Sequence, residues 1–204
     1  MTWAAPFDRC ILGIMPRHAG EIGSTIGGVQ LICLDFEPGQ FAFFAWQNVL
    51  VAVWPTAATG AAVQRWGSHV RELLKEHPKG ESHIHIVKAG APVPTAEARA
   101  GFVGLMHEFE RNLAAAAVCL LGSGFWASAI QAAITGMRML APRSFEMHIH
   151  RDLESVGEWL PDEHHRHTGV VLQPDDLVAV LREAFSEGTK SPSRGSQQAV
   201  SAIR

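Results

Sequence analysis

Eleven histidines in 204 residues are the side chains of this sequence best suited to chemistry, and seven of them fall in His83-x-His85, His148-x-His150 and His164-His165-x-His167. Imidazole carries protons near neutral pH and ligates zinc and similar ions. Two of them at i and i+2 on a strand share a face about 7 Å apart, so His83, His85, His148 and His150 are the candidate metal ligands. One ion needs further ligands from another element. If two apolar strands separate the pairs they lie about 14 Å apart, too far to share it, whereas adjacent strands would bring them together. The plainer expectation is that these histidines cover a partly polar sheet face, with the 164–167 group in a surface loop.

A second candidate is Gly122-Ser123-Gly124-Phe125-Trp126-Ala127, which fits G-x-G-x-x-G/A between a strand and a helix, where backbone N–H groups can hold a phosphate. The acidic residue that would bind a ribose should end the next strand, but Glu146 begins it. A tight turn bringing helix and strand together accounts for the glycines. Thr56, in the loop after Trp54, is expected to face this turn, so Thr56, Gly122, Ser123 and Gly124 are the candidates for a small-ligand crevice. Ser123 lacks the G-x-S-x-G elbow of a hydrolase. Thr95 follows Pro94 and reads as a helix cap. Trp54, Trp66, Trp126 and Trp159 fall at apolar or junction positions and read as core.

The elements that position these residues alternate between the two periodicities. Val29–Phe36 is a strand closed by Glu37-Pro38-Gly39. Phe41–Trp46 and Val49–Trp54 form a hairpin about Gln47-Asn48, where Asn is the residue expected to take the left-handed turn conformation. Val49–Trp54 has no polar position and so must be covered on both faces. Helices are predicted over Thr59–His77, after Thr95, over Phe125–Leu140 and over Pro174–Phe185, with a short one from Asp152 stopped by Pro161. Strands are predicted over Ser82–Ala89, Ala115–Leu121 and Phe145–His150, with His83 and His85 on the less hydrophobic face of the first. This alternation predicts an α/β fold: a mostly parallel four- to five-stranded sheet with an N-terminal antiparallel hairpin and crossover helices. Residues 1–28 read as an N-terminal extension, 29–162 as the α/β domain, 163–187 as a loop and helix, and 188–204 as a mobile polar tail.

This order of elements resembles the STAS or SpoIIAA-like fold of bacterial STAS/SEC14-like proteins. Three local motifs carry the resemblance, which spans about residues 40–160: Pro94-Thr95-Ala96-Glu97-Ala98-Arg99, Gly122-Ser123-Gly124-Phe125, and Glu158-Trp159-Leu160. The resemblance implies a non-enzymatic regulatory or docking module that binds a partner protein, with Thr95 and Arg99 in the contact region and Thr95 matching a phosphorylated position of some members. Where the anti-sigma-factor antagonists carry Asp-Ser-Ser-Gly, this chain has Thr-Ala-Glu-Ala, so the resemblance does not extend to a sigma-factor circuit.

Composition narrows the classes. Apolar residues at 47% and charged ones at 18% indicate a packed chain, and a net charge of −3 without a basic run excludes a nucleic-acid grip. Cys10, Cys33 and Cys119 have no CxxC spacing and suit a reducing cytoplasm. The N-terminus has no export pattern. From Leu113 to Met137 no residue is charged, yet the alanines and the Gly-Ser-Gly break fit a buried strand and helix better than a membrane span. The expectation is therefore a cytoplasmic module without cofactor, with a protein partner, no membrane span, and a form compatible with a homodimer. The alternatives are a histidine-dependent metal enzyme or metal sensor, and a carrier of a small apolar ligand or lipid.

Overall fold

The computed structural model describes residues 23–26, 29–141 and 144–190. Seven strands make one sheet in strict chain order: β1 (Gly23–Ile26), β2 (Val29–Glu37), β3 (Phe41–Trp46), β4 (Val49–Trp54), β5 (Glu81–Lys88), β6 (Leu113–Leu121) and β7 (Glu146–His150). The first four form an antiparallel meander, and β4 to β7 are parallel neighbours. Each parallel step is bridged by one helix: α1 (Gly60–Glu76), α2 (Ala96–Glu108) and α3 (Gly124–Leu140). Two further helices, α4 (Leu153–Thr168) and α5 (Pro174–Gly188), follow the last strand.

Side-chain alternation sorts the helices into two layers. Val49, Val51 and Val53 of β4, Ile84 and Ile86 of β5, and Ala115 and Ala117 of β6 pack with Val156 and Leu160 of α4 and Leu177 and Leu181 of α5. The intervening residues Leu50, Ala52 and Trp54 pack with Val63, Trp66 and Val70 of α1. Val118 and Leu120 pack with Ile130, Ile134 and Met137 of α3. Every residue of β4 is buried, as a strand with no polar position requires. α4 and α5 meet closely at Gly157, where an added Cβ would lie 2.4 Å from Val178 Cγ2.

The α/β class and the mixed sheet hold, but the strand count and balance differ from expectation. Among the described residues there are seven strands rather than four or five, and the pairings divide evenly between antiparallel and parallel. β1, a four-residue Gly-Ser-Thr-Ile segment, is too short and polar to announce itself, yet it pairs with β2. Pro161 does not stop α4, which runs on to Thr168. Val156, Leu160, His164 and Thr168 recur every four residues and are all buried, and that burial offsets the backbone hydrogen bond a proline cannot make. The tail from 191 onward, Cys10 and most of the 1–28 segment lie outside the described residues.

Candidate functional site

The sheet and its first helical layer do not close completely. A half-open cavity of about 80 Å³ lies between β4–β7 and α1–α3, several times the roughly 10–15 Å³ that one water needs. Its floor is Trp54, His83, His85 and Ala116, and its roof includes Phe102, Leu105 and Met106 of α2. The void follows from two local features of the sequence. On β6 the side facing α1–α3 carries only a methyl group at Ala116, whereas Ala115 and Ala117 face α4 and α5. α2 has Ala98 as its one fully buried residue, so Phe102, Leu105 and Met106 are left half-buried above the floor. Near the end of the helix toward Thr56, Pro92 and Pro94 border the cavity.

Both imidazoles on the floor are neutral. His85 Nδ1 accepts a hydrogen bond from Trp54 Nε1 at 3.2 Å, and the ring lies among Trp54, Trp66 and Phe102. Burial lowers its pKa from 6.5 to about 3. His83 Nε2 lies 2.8 Å from Oε1 of Glu81, which is 1% exposed. Burial pushes the Glu81 carboxyl up to about 9 and the His83 imidazole down to about 3. The two groups form one unit that holds a single shared proton across neutral pH. Glu81 Oε2 is buried with no partner among the described residues.

The other paired histidines lie on the opposite face. In register, His148 sits beside Ala117, which sits beside Ile84, so His148 and His150 share the face of Ile84 and not that of His83 and His85. His148 stacks on Trp159 of α4 at 4.4 Å between ring centroids, and His150 Nδ1 lies 3.2 Å from Ser155 Oγ. β5 and β7 are separated by one strand rather than two, but the sheet itself stands between the pairs. Among the described residues no group of three histidine, cysteine, aspartate or glutamate side chains is arranged to hold a metal ion.

A third histidine group conceals the polar centre that sequence reasoning missed. His164 is fully buried while His165 and His167 are exposed. Its Nδ1 lies 2.8 Å from Ser82 Oγ and its Nε2 lies 2.9 Å from Asn48 Oδ1. Asn48 Nδ2 donates to the Gly80 carbonyl at 2.9 Å, which turns the amide oxygen toward His164 and places the imidazole proton on Nε2. Nδ1 then accepts from the serine hydroxyl. Burial lowers the His164 pKa to about 4. This Ser-His-Asn chain resembles a nucleophilic triad in composition only: Ser82 has no exposed surface, so no substrate reaches it, and the network instead fastens α4 to the β3–β4 turn and β5. The left-handed turn residue is Gln47, at φ 52°, which frees Asn48 for this network.

The remaining candidates occupy ordinary structural positions. Thr56 borders the cavity. Thr95 Oγ1 caps α2 by accepting from Ala98 N at 3.2 Å, and Arg99 donates to the Pro94 carbonyl at 2.6 Å. Gly122 lies where an added Cβ would come within 2.7 Å of the Trp126 ring, and Gly124 has φ 79°. Ser123 stands at the N-cap of α3 without a side-chain capping bond. The parallel strands never reverse order, so there is no switch-point crevice joining Thr56 to Gly122, Ser123 and Gly124. Cys33 and Cys119 are free thiols, and burial raises both pKa values. Among the described residues no helix is long and apolar enough to cross a membrane. Neither a scan of protein-family models nor a search of curated proteins gives a match to this chain.

Proposed function

We propose that this protein is a non-catalytic binding module, STAS/SpoIIAA-like in architecture, that takes a small apolar molecule into the cavity beneath α2 and signals its presence to a partner protein through that helix. The observation that carries the reading is the cavity itself, an apolar void under a helix with a single fully buried residue. A ligand there would fill volume that the protein leaves empty, tightening α2 against the sheet. Thr95 and Arg99 sit on the first turns of that helix, so its outer face is where a partner would sense the change.

Xenon tests this directly, because it enters dry apolar cavities. Met106, Met137 and Met147 line the cavity, whereas Met139 is 79% exposed on α3. Under xenon pressure the ¹³C-methyl signals of the first three should move and that of Met139 should not. Unmoved signals from all three would refute the binding reading.

A further inference from the structure

The cavity offers its ligand one hydrogen-bond donor of fixed identity, and that donor specifies a chemical class. Indole N–H can only donate, so the bond from Trp54 Nε1 makes His85 Nδ1 an acceptor. In the neutral ring the proton then resides on Nε2. His85 Nε2 has no hydrogen-bond partner among the described residues. Among the described residues the sealed side-chain atoms without a partner are Glu81 Oε2 and His150 Nε2, so His85 Nε2 retains open surface, and the ring borders the cavity.

With His83 neutral and the Glu81 carboxyl protonated, either the carboxyl donates to Nε2 and the imidazole proton occupies Nδ1, or Nε2–H donates to the carboxyl oxygen and Nδ1 is bare. His83 can therefore present either polarity, and the donor of fixed identity is His85. Among the described residues no carboxylate, ammonium or guanidinium borders the cavity, so a charged ligand would lose its hydration without a counter-charge. A carbonyl oxygen accepts hydrogen bonds and brings no proton of its own that needs an acceptor. The volume of about 80 Å³ falls below the roughly 150 Å³ that admits benzene, so the part of a ligand that the cavity encloses must be compact.

We infer that the cavity selects a compact, uncharged, apolar molecule carrying one carbonyl oxygen, held by the Nε2–H of His85. This rests on the binding reading above and narrows it to a ligand class. The test is a pair of shape-matched probes, butan-2-one and 2-methylbut-1-ene, which differ by C=O against C=CH2, titrated against the ¹³C-methyl signals of Met106, Met137 and Met147. In the unaltered protein the ketone should bind at least as tightly as the alkene, despite its greater affinity for water. In His85→Phe the ketone should weaken by about tenfold or more, the cost of leaving a buried acceptor unpaired, while the alkene keeps its affinity. Equal weakening of both probes, or a ketone affinity that does not change, would overturn the inference while leaving an apolar binding site intact. If neither probe nor xenon moves the three methyl signals, the binding reading fails as well. A second measurement needs no substitution: in ¹⁵N-resolved imidazole spectra of the unaltered protein the ketone should shift His85 Nε2–H and the alkene should not. An unperturbed Nε2–H at ketone saturation overturns the inference.

Discussion

Replacing Ala116 by valine should stabilise the protein and abolish its response to xenon together. Ala116 is 3% exposed, lies on the cavity floor and pairs in register with His83 and Met147. At about 24 cal/mol per Å³, an empty volume of about 80 Å³ costs the fold about 2 kcal/mol. Two added carbons, each worth about 0.8 kcal/mol when buried, recover most of that, less about 0.5 kcal/mol for ordering the side chain. The net gain is about 1 kcal/mol, which for a chain of this length raises the melting temperature by about 2–4 °C. Circular dichroism melts and urea titrations read the stability, and methionine-methyl spectra under xenon read the cavity. A melting temperature lowered by several degrees would mean that the valine meets packed atoms, as over-packed cores do, and would refute the open volume. A raised melting temperature with the xenon shifts intact would place the void somewhere other than above Ala116.

Stability should peak near pH 6.5 and fall on both sides. His85 and His164, with folded values of about 3 and 4 against 6.5 unfolded, leave the unfolded chain binding two more protons as pH falls below 6.5, costing about 3 kcal/mol per pH unit. The Glu81–His83 unit keeps its proton up to about pH 9, whereas the unfolded chain has released it, so stability also declines above pH 6.5 by about 1–2 kcal/mol per unit; a urea midpoint flat from pH 5 to 8 would contradict both arms. His164→Leu should destabilise by about 2–5 kcal/mol, because it leaves Ser82 Oγ and Asn48 Oδ1 buried without the imidazole they bond. Adding Ser82→Ala to it should cost less than the two single changes sum to, as a double-mutant cycle in denaturant would show. Gly157→Ala should destabilise by about 1–3 kcal/mol through its contact with Val178, despite alanine's better helix propensity, and Val178→Ala in the same chain should recover most of the loss; additive costs would deny the contact.

Elements with a complete local signal were legible. The wholly apolar Val49–Trp54, the three-four stripe of α1, and the strand and helix flanking Gly122-Ser123-Gly124 all appear within a residue or two of expectation. What failed to show depends on contacts distant in the chain. His83 and His85 alternate with isoleucines as an exposed face would, yet α1 and α2 cover them, because alternation reveals which residues share a face and not what covers it. Pro161 suggested a helix end, and the four-residue recurrence of Val156, Leu160, His164 and Thr168 was the available sign that the helix continues. Asn48 looked like turn chemistry, and its partner His164 lies 116 positions away. The cavity left no local trace beyond the small side chain of Ala116, since a void is a property of three elements together.

The placement of α5 bears on how the chain is made. Strands adjacent in the chain are adjacent in space, so the sheet can assemble stepwise as it leaves the ribosome, with short loop closures that favour speed. The exception is the face of β3 and β4 formed by Ala42, Phe44, Val51 and Val53, which α5 covers with Val180, Leu181 and Ala184. More than a hundred residues separate these surfaces, which at about 5–20 residues per second leaves an apolar sheet face uncovered for about 5–25 seconds of synthesis. A ribosome stalled before α5 would therefore release a nearly complete sheet with a sticky face, and it is during that interval that a chaperone would find the nascent chain.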